Sequence, residues 1–570
     1  MSLRYQSDEK PSITLVLGLG LQLTTLSVSA TILITTLVMR AGGQSEAYLA
    51  WAVFAAVVIG GACSVLQTIR FGRFGTGHVL MMGSSVVFIA VGIQALSVGG
   101  PSLFATLVVA AAIFQFLISH KLAQFRRLFT PTVSGTVLML IPVSVMPAVF
   151  KLLEDVPQDS STLGAPLSAI LTVVVIGGIT LKSNSTLRLW APVIGIIVGS
   201  LVAATFGLYD TTRVLESAWI GLPEFMWPGI SLEFDKAFWA LFPAFLLAAM
   251  ISAIRTMSGA VAIQSIAWRK PKAVDYRGVQ GAVATDSLSN LFSGLAGTMP
   301  NTSYTTGASL AQITGVAART VGFAAGGIFL ALAFFPKVLA LILAIPGPVF
   351  AAFLFVMVAI LFMIGTQMVF TDGIDYRKSL IVGIAFWTGV GFQNGVIFPE
   401  IFSNFAHGFL NDGMTSGALV AIILTLFMKM TEPRSRQMKT VLELSALSDL
   451  TKFAEKFATA NNRDESKVNH LNAVVEEVLL TLLEQKTGKE SDIQQLILRA
   501  KKDGKNVVLE FITTPGEGEN LEDKVALLSE QAEQHPMEEN LSLRVLQHLS
   551  TRVRHQKYSD VDIITVRVES

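Results

Sequence analysis

Stretches without a single Asp, Glu, Lys or Arg recur along the chain, among them Ala50 to Thr68, Phe104 to Ile118 and Val338 to Thr366. Several reach the roughly 20 residues that a helix needs to cross a bilayer. A buried helix of a soluble domain rarely needs that length. Charged residues make up 15% of the whole sequence, against roughly 25% in soluble chains. Mean hydropathy is +0.59. The feature therefore predicts a polytopic helical membrane protein.

Apolar segments fall near 13–39, 47–68, 79–97, 102–120, 131–149, 165–181, 190–208, 237–266, 279–297, 303–318, 320–345, 348–370, 380–398 and 411–430, fourteen in all. The third and tenth are short and rich in Gly, Ser and Thr. The first is too long for a cleaved signal peptide and reads as a span. An even count places both termini on one side. The basic groups Arg269, Lys270, Lys272 and Arg277, then His120 to Arg127, Arg377–Lys378, and Lys429, Arg434, Arg436 and Lys439 share that side. Basic loops stay in the cytoplasm, so both termini are expected there, in a cell (inner) membrane. Interrupted spans at matching places in two halves point to a midplane site, and spans three and ten are seven apart.

After about Glu432 the composition turns polar. Leu450 to Ala458 and Lys467 to Glu484 have helical periodicity, and Asn506 to Ile512 and Asp560 to Val568 read as strands. The expected layout is a cytoplasmic segment 1–12, a transporter domain 13–431, a linker 432–444 and a cytoplasmic α+β domain 445–570. A net charge of +1 implies no nucleic-acid partner. Cys63, the one cysteine, has neither a disulfide partner nor metal-binding company. No metal or cofactor site is read. No Gly-x-x-x-x-Gly-Lys-Ser/Thr run of a primary pump occurs either, so a secondary transporter is expected rather than an enzyme.

Arg255 is the sharpest feature. It lies about 28 Å along its helix from Lys236 and about 21 Å from Arg269, too deep to snorkel easily. One reading makes it the ligand of an anion, with a fixed charge and paired donors. The other makes it half of an ion pair with Asp286. Asn301, Thr302, Ser303, Tyr304, Thr305 and Thr306 form a polar run after Pro300, where a helix start would favour an anion. Ser84 and Ser85 would face it from span three. Alternatively, these hydroxyls merely satisfy their own backbones or let helices pack closely. Gln22, Ser258 and Gln264 are further polar candidates in spans one and eight. His78 and His407 sit near span ends and read as interfacial.

The order of motifs resembles the nucleobase–ascorbate transporter family over about residues 10–430. It runs through Leu21–Gln22, Met82-Gly-Ser-Ser85, Phe129-Thr-Pro-Thr-Val-Ser-Gly135, Gly294-Leu-Ala-Gly-Thr-Met-Pro-Asn-Thr-Ser-Tyr304, Ile313-Thr-Gly-Val-Ala-Ala-Arg319, Phe335-Pro-Lys-Val338 and Ile345-Pro-Gly-Pro-Val349. The resemblance implies fourteen spans in two inverted seven-helix repeats. A core (spans 1–4 and 8–11) would move against a gate (5–7 and 12–14), with short strands in spans three and ten framing the substrate. It also implies alternating-access transport of a nucleobase-like solute, coupling to a proton or sodium ion, and a homodimer. Asp286 matches an acidic or amide position of the family's ninth span, with a structural or coupling role, and Thr314 keeps a Thr of the tenth.

Four positions depart from the pattern. Arg255 stands where the family has a carboxylate, Leu23 where it has His, Val86 where it often has an aromatic, and Thr306-Gly-Ala-Ser309 replaces its amide signature. An anionic solute such as urate or xanthine suits Arg255. The sulfate permease family, with similar architecture, supplies an inorganic or carboxylate anion as alternative. A membrane sensor signalling through the tail is another. In the tail, Val474 to Thr481 and Leu543 to Val553 resemble an anti-sigma-factor-type histidine-kinase ATPase domain. Thr481 stands at the metal-binding Asn, and only Thr514-Pro-Gly-Glu-Gly518 stands for its glycine box. The resemblance implies a degenerate domain used for interaction or regulation, with a protein partner possible, and not for ATP hydrolysis.

Overall fold

The computed structural model describes residues 3–125, 130–154, 156, 161–182, 185–209, 211–270, 272–370, 375–398, 413–431, 435–460, 465–484, 494–503, 506–516, 520–530, 546 and 548–569. His407 lies outside them. The chain divides into two compact units. The first comprises Met1–Arg269 and Gly281–Phe427, the second Lys270–Gln280 and Met428–Ser570.

In the first unit α1 (Ile13–Ala41) and α2 (Glu46–Thr68) precede a four-residue strand, β1 (Met81–Ser84). A single 3₁₀ turn then leads into α3 (Ile89–His120), which Gly100, at φ 69°, and Pro101 bend in the middle. The next helices are α4 (Pro131–Lys151), α5 (Gly164–Lys182), α6 (Ser185–Thr205), α7 (Lys236–Ile266) and α8 (Tyr276–Ala296). A second strand, β2 (Asn301–Tyr304), leads into α9 (Thr306–Thr314). Then come α10 (Arg319–Leu332), α11 (Pro336–Leu343), α12 (Gly347–Val369), α13 (Tyr376–Gln393) and α14 (Gly413–Thr431). Among the described residues, eight helical stretches are long and apolar enough to cross a membrane. A ninth is added if α10 and α11, bent by 85° at the start set by Pro336, count as one span. The fold is that of a multi-pass, mostly helical membrane protein.

Small residues set how closely the helices approach. A Cβ on Gly61 of α2 would lie 2.5 Å from the Leu330 nitrogen of α10, and one on Gly20 of α1 would lie 2.9 Å from the Ala324 Cβ. Thr24 of α1 uses this approach to donate to the Ala325 carbonyl at 2.7 Å. A similar contact joins α4 and α12, where a Cβ on Gly135 would lie 2.6 Å from the Gly365 carbonyl oxygen.

Residues ahead of α1 are tied down. Arg4 and Tyr5 donate backbone N–H groups to the Gly315 carbonyl, and Arg319 N donates to Ser7 O at 3.0 Å. Arg269 grips Glu9 with two bonds of 2.7 and 2.8 Å. The backbone N–H of Gln6 and the Arg269 guanidinium hold the Glu9 carboxyl below its ordinary range. Ser7 also bonds His78 Nδ1 at 3.0 Å, so His78 serves this strap.

The second unit carries a five-stranded antiparallel sheet in the order β3–β4–β5–β7–β6. These strands are Arg436–Val441, Gln495–Asp503, Asn506–Thr513, Asp562–Glu569 and Arg552–Lys557 for β3, β4, β5, β7 and β6. Two helices, α15 (Leu447–Ala460) and α16 (Glu465–Glu484), share its core: Leu450, Phe457, Val474, Val478, Phe511 and Ile564 are buried together. Alternate residues of β5 are buried, the pattern of a sheet covered on one face.

Candidate functional site

Neither Met81-Met-Gly-Ser84 nor Asn301-Thr-Ser-Tyr304 alternates in polarity. They become strands by pairing with each other, antiparallel, with Met81 opposite Tyr304 and Ser84 opposite Asn301. Ser85 N extends the ladder to the Pro300 carbonyl at 2.8 Å. Each strand runs into a helix start, the turn before α3 and the first turn of α9, so unpaired N–H groups gather beside the pair. Gly83 is required at its place. A Cβ there would collide with Thr31 Oγ1 of α1 and lie 2.8 Å from the Tyr304 hydroxyl. The Tyr304 hydroxyl donates to Ser84 O at 2.8 Å, and Ser84 Oγ bonds Thr35 Oγ1 of α1 at 2.8 Å.

α7 lies along β2. Thr256 Oγ1 accepts from Ser303 N at 3.4 Å and meets Thr302 Oγ1 at 3.5 Å. Arg255, the adjacent residue, has Nη1 buried and without a hydrogen-bond partner. Its ionisable neighbours are Tyr304 and Asp286. Asp286 Oδ2 on α8 accepts instead from Gln115 Nε2 of α3 at 2.6 Å and from Ser252 Oγ of α7 at 3.2 Å. Among the described residues no ion pair joins Arg255 to Asp286. Behind the strands the network continues. Asn290 Nδ2 donates to Gln115 Oε1 at 2.8 Å, Asn301 N to Asn290 Oδ1 at 2.6 Å, and Asn301 Nδ2 to Ser289 Oγ at 2.8 Å.

The residues singled out from the sequence divide clearly. Six hold a buried polar atom without a partner: Arg255 Nη1, Asp286 Oδ1, Ser85 Oγ, Asn301 Oδ1, Ser303 Oγ and Thr306 Oγ1. Buried polar groups are normally satisfied, so a cluster of unspent ones is what a polar ligand needs. Ser84, Thr302 and Tyr304 hold the strands together. Thr305 caps α9 from an exposed position, without a side-chain cap bond. Gln22 is half-buried on α1. Ser258 is exposed and donates to the Ile254 carbonyl of its own helix, and Thr314 does the same to Leu310. Gln264 is buried near the end of α7. Sequence reasoning missed Gln115, Ser252, Thr256, Ser289 and Asn290. Their one signal was polarity within otherwise apolar spans.

An apolar cavity of about 590 Å³ lies elsewhere, among Leu21, Val193, Ile197, Leu201 and Leu341. With half-exposed leucines and isoleucines on its walls and no charged residue, it has the character of a lipid-facing groove.

The model of the permease family Xan_ur_permease matches residues 15–396. Xanthine permease XanP of Escherichia coli (strain K12) is 27% identical over 383 residues, covering 64% of this chain and 81% of that protein. Uric acid permease PucK of Bacillus subtilis (strain 168) is 26% identical over 433 residues, covering 74% of this chain and 97% of that protein. Among solved structures, the transmembrane domain of the cyanobacterium bicarbonate transporter BicA aligns at 17% identity and a TM-score of 0.43, covering 74% of this chain and 99% of that one. The chain belongs to the xanthine/uracil permease family, a family of transporters rather than enzymes.

Proposed function

We propose, with membership of that family as the premise, that the chain is a secondary transporter of a purine related to xanthine or urate, taken as its anion. The single observation that carries the choice of an anion is Arg255 Nη1, buried and unpaired beside the β1–β2 pair. Ser85, Ser303 and Thr306 offer hydroxyls, Asn301 an amide oxygen, and the helix starts backbone N–H groups. A flat, polar-edged ring with one negative charge meets all of these donors and acceptors. Guanidinium to carboxylate-like or enolate oxygen is the strongest of the contacts.

The relatives' names, xanthine permease and uric acid permease, support this class of solute. The finer architecture is part of the proposal: fourteen spans in two inverted repeats, a core moving against a gate by alternating access, both termini in the cytoplasm, and a homodimer. So are the boundaries, with residues 1–12 as the cytoplasmic segment, 13–431 as the transporter, 432–444 as the linker and 445–570 as the tail. The tail serves a protein partner rather than ATP. Thr481, at the position of a metal-binding Asn, spends its hydroxyl on the Glu477 carbonyl of its own helix.

Thermal unfolding of the purified full-length protein tests the reading. Urate and xanthine should raise the midpoint, and sulfate and bicarbonate should not. Arg255→Ala should weaken purine binding by about tenfold to a hundredfold, the value of a hydrogen bond to a charged group. Stabilisation by sulfate or bicarbonate alone would make the chain an inorganic-anion carrier. Full purine affinity in Arg255→Ala would remove Arg255 from the site.

A further inference from the structure

We propose that the tail's partner is a segment of this same chain: the α7–α8 loop docks on the tail, and docking favours the arrangement of α7 and α8 that binds the solute. This deepens the proposed function, on which its purine readout rests, by naming what the tail holds and where it acts.

Lys270–Gln280 falls in the same compact unit as Met428–Ser570, although in sequence it lies between two membrane helices. Three contacts within that unit hold it. Gln280 Oε1, in the first turn of α8, accepts from Ser559 N at 2.8 Å. The Tyr276 ring lies 5.0 Å from that of Tyr558. Asp523, in the first turn of α17 (Leu521–Glu530), accepts from Ala273 N. Tyr558 and Ser559 belong to the turn that joins β6 to β7, which Tyr558 N closes by donating to Val561 O at 2.9 Å. Such turns normally stand in water. Here Tyr558 is 2% exposed and Lys557, just before it, 4%. Gln280 is buried as well. Burial holds the Lys557 ammonium below its ordinary range, and the charges acting on it are Asp562 of the tail with Arg277 and Asp275 of the loop. A buried hairpin tip needs a cover, and the loop supplies it.

The docked residues are also the link between the helices that build the site. α7 carries Ser252, Arg255 and Thr256, α8 carries Asp286, Ser289 and Asn290, and Ser252 bonds Asp286 across the two. Gln280 lies six residues ahead of Asp286, about 9 Å along the same helix. No proline interrupts α8, so a displacement of its first turn is carried to Asp286 rather than absorbed by a kink. With the loop docked, the bonds that tie Asp286, Gln115, Asn290 and Asn301 together are all made. An undocked loop frees the start of α8 and loosens the network that holds β2 from behind. Docking and solute binding therefore favour one another, and linkage makes the effect reciprocal.

Hydrogen–deuterium exchange and urate binding, measured on the same purified full-length protein, test the proposal. Residues 273–280 should be protected. Asp523→Ala and Gln280→Ala each remove one of the contacts. Both should speed exchange in 273–280 and weaken urate binding about fivefold or more, while exchange across β4 and β5 stays as in the wild type because the tail remains folded. Urate should in turn slow exchange in 273–280 of the wild-type protein. Lys502→Ala, on the exposed end of β4, should change neither quantity. Fast exchange of 273–280 in the wild type, or no response to either variant, would overturn docking and leave the purine reading intact. A freed loop with unchanged urate affinity would overturn the link between dock and site. If urate does not bind even the wild-type protein, the purine reading fails and residues 281–290 of α8 decide: faster exchange there in the two variants upholds the proposal, and unchanged exchange overturns it.

Discussion

Replacing Gln115 by Leu should destabilise the membrane unit by about 2–4 kcal/mol, and the network around Asp286 gives the reason. Gln115 is fully buried; its amide donates to Asp286 Oδ2 at 2.6 Å and accepts from Asn290 Nδ2 at 2.8 Å. Leu has similar bulk, so packing changes little. Two interhelical hydrogen bonds in a membrane protein are worth only about 1.2 kcal/mol together, because unfolded spans find other partners. More is lost through the groups left behind. Asn290 Nδ2 loses its acceptor, at about 1–3 kcal/mol, while Asp286 Oδ2 keeps Ser252. The orphaned amide therefore outweighs the lost bonds. Titrating purified protein with a denaturing detergent would measure the change. Asn290→Leu should cost a similar amount, and the double variant clearly less than the sum, since both remove one network. A shift under about 1 kcal/mol for Gln115→Leu, or strict additivity, would refute the reasoning.

Three further outcomes can be checked. Gly83→Ala places a methyl against Thr31 Oγ1 and the Tyr304 hydroxyl; it should cost about 1–3 kcal/mol and lower purine affinity, with partial recovery on adding Thr31→Ala. An unchanged melting midpoint would mean that β1 is not held so close to α1. Ser303→Ala removes an unspent hydroxyl, so stability should move by under about 1 kcal/mol while purine affinity falls roughly three- to tenfold; the reverse pattern, stability lost and affinity kept, would make Ser303 a packing residue. The Glu9 carboxyl has a lowered folded-state value. Its contribution is therefore complete above the ordinary carboxylate range and disappears as pH falls through that lowered value. Protection of the residue 3–9 amides, taken relative to their intrinsic exchange rates, should be flat from about pH 6 to 8 and fall below about pH 4; constant protection across that range would dissociate the strap from its Arg269–Glu9 contact.

Much of the membrane architecture is legible from hydropathy because the lipid solvent leaves a crude signal: long runs without charge. Helices α1, α2, α7 and α12 begin and end within two residues of the apolar segments that announced them. What hydropathy cannot convey is interruption. Residues 81–84 fell inside an apolar segment and 301–304 in a polar run at the start of another; strands there were expected only from the family resemblance, because a four-residue strand shows no period of its own and exists only by virtue of a partner far along the chain. The bend between α10 and α11 had a local signal in Pro336, but its 85° size depends on packing. Gln115 and Asn290 looked like isolated polar residues because their meaning lies in the convergence of two helices and a strand. Residues 3–9 were read only as polar and charged, since a strap of backbone bonds leaves no compositional trace. In the tail, β5 and β7 were visible through their β-branched residues. The strand β3, Arg-Gln-Met-Lys-Thr-Val, fell within the expected linker, and β6, Arg-Val-Arg-His-Gln-Lys, has no run of β-branched residues to announce it.

The pairing of β1 with β2 also sets a schedule for biogenesis. Apolar helices enter the bilayer one after another as the ribosome supplies them. Yet Ser84 meets Tyr304 across 220 positions, and Thr24 reaches its partner Ala325 across 301. Until that later stretch has been made and inserted, Ser84 O and Thr24 Oγ1 lack these partners, and the ground for the ligand does not exist. A nascent chain arrested before residue 301 can be fully threaded through the membrane and still be blind to its solute, so insertion and competence are separate events in the life of this protein.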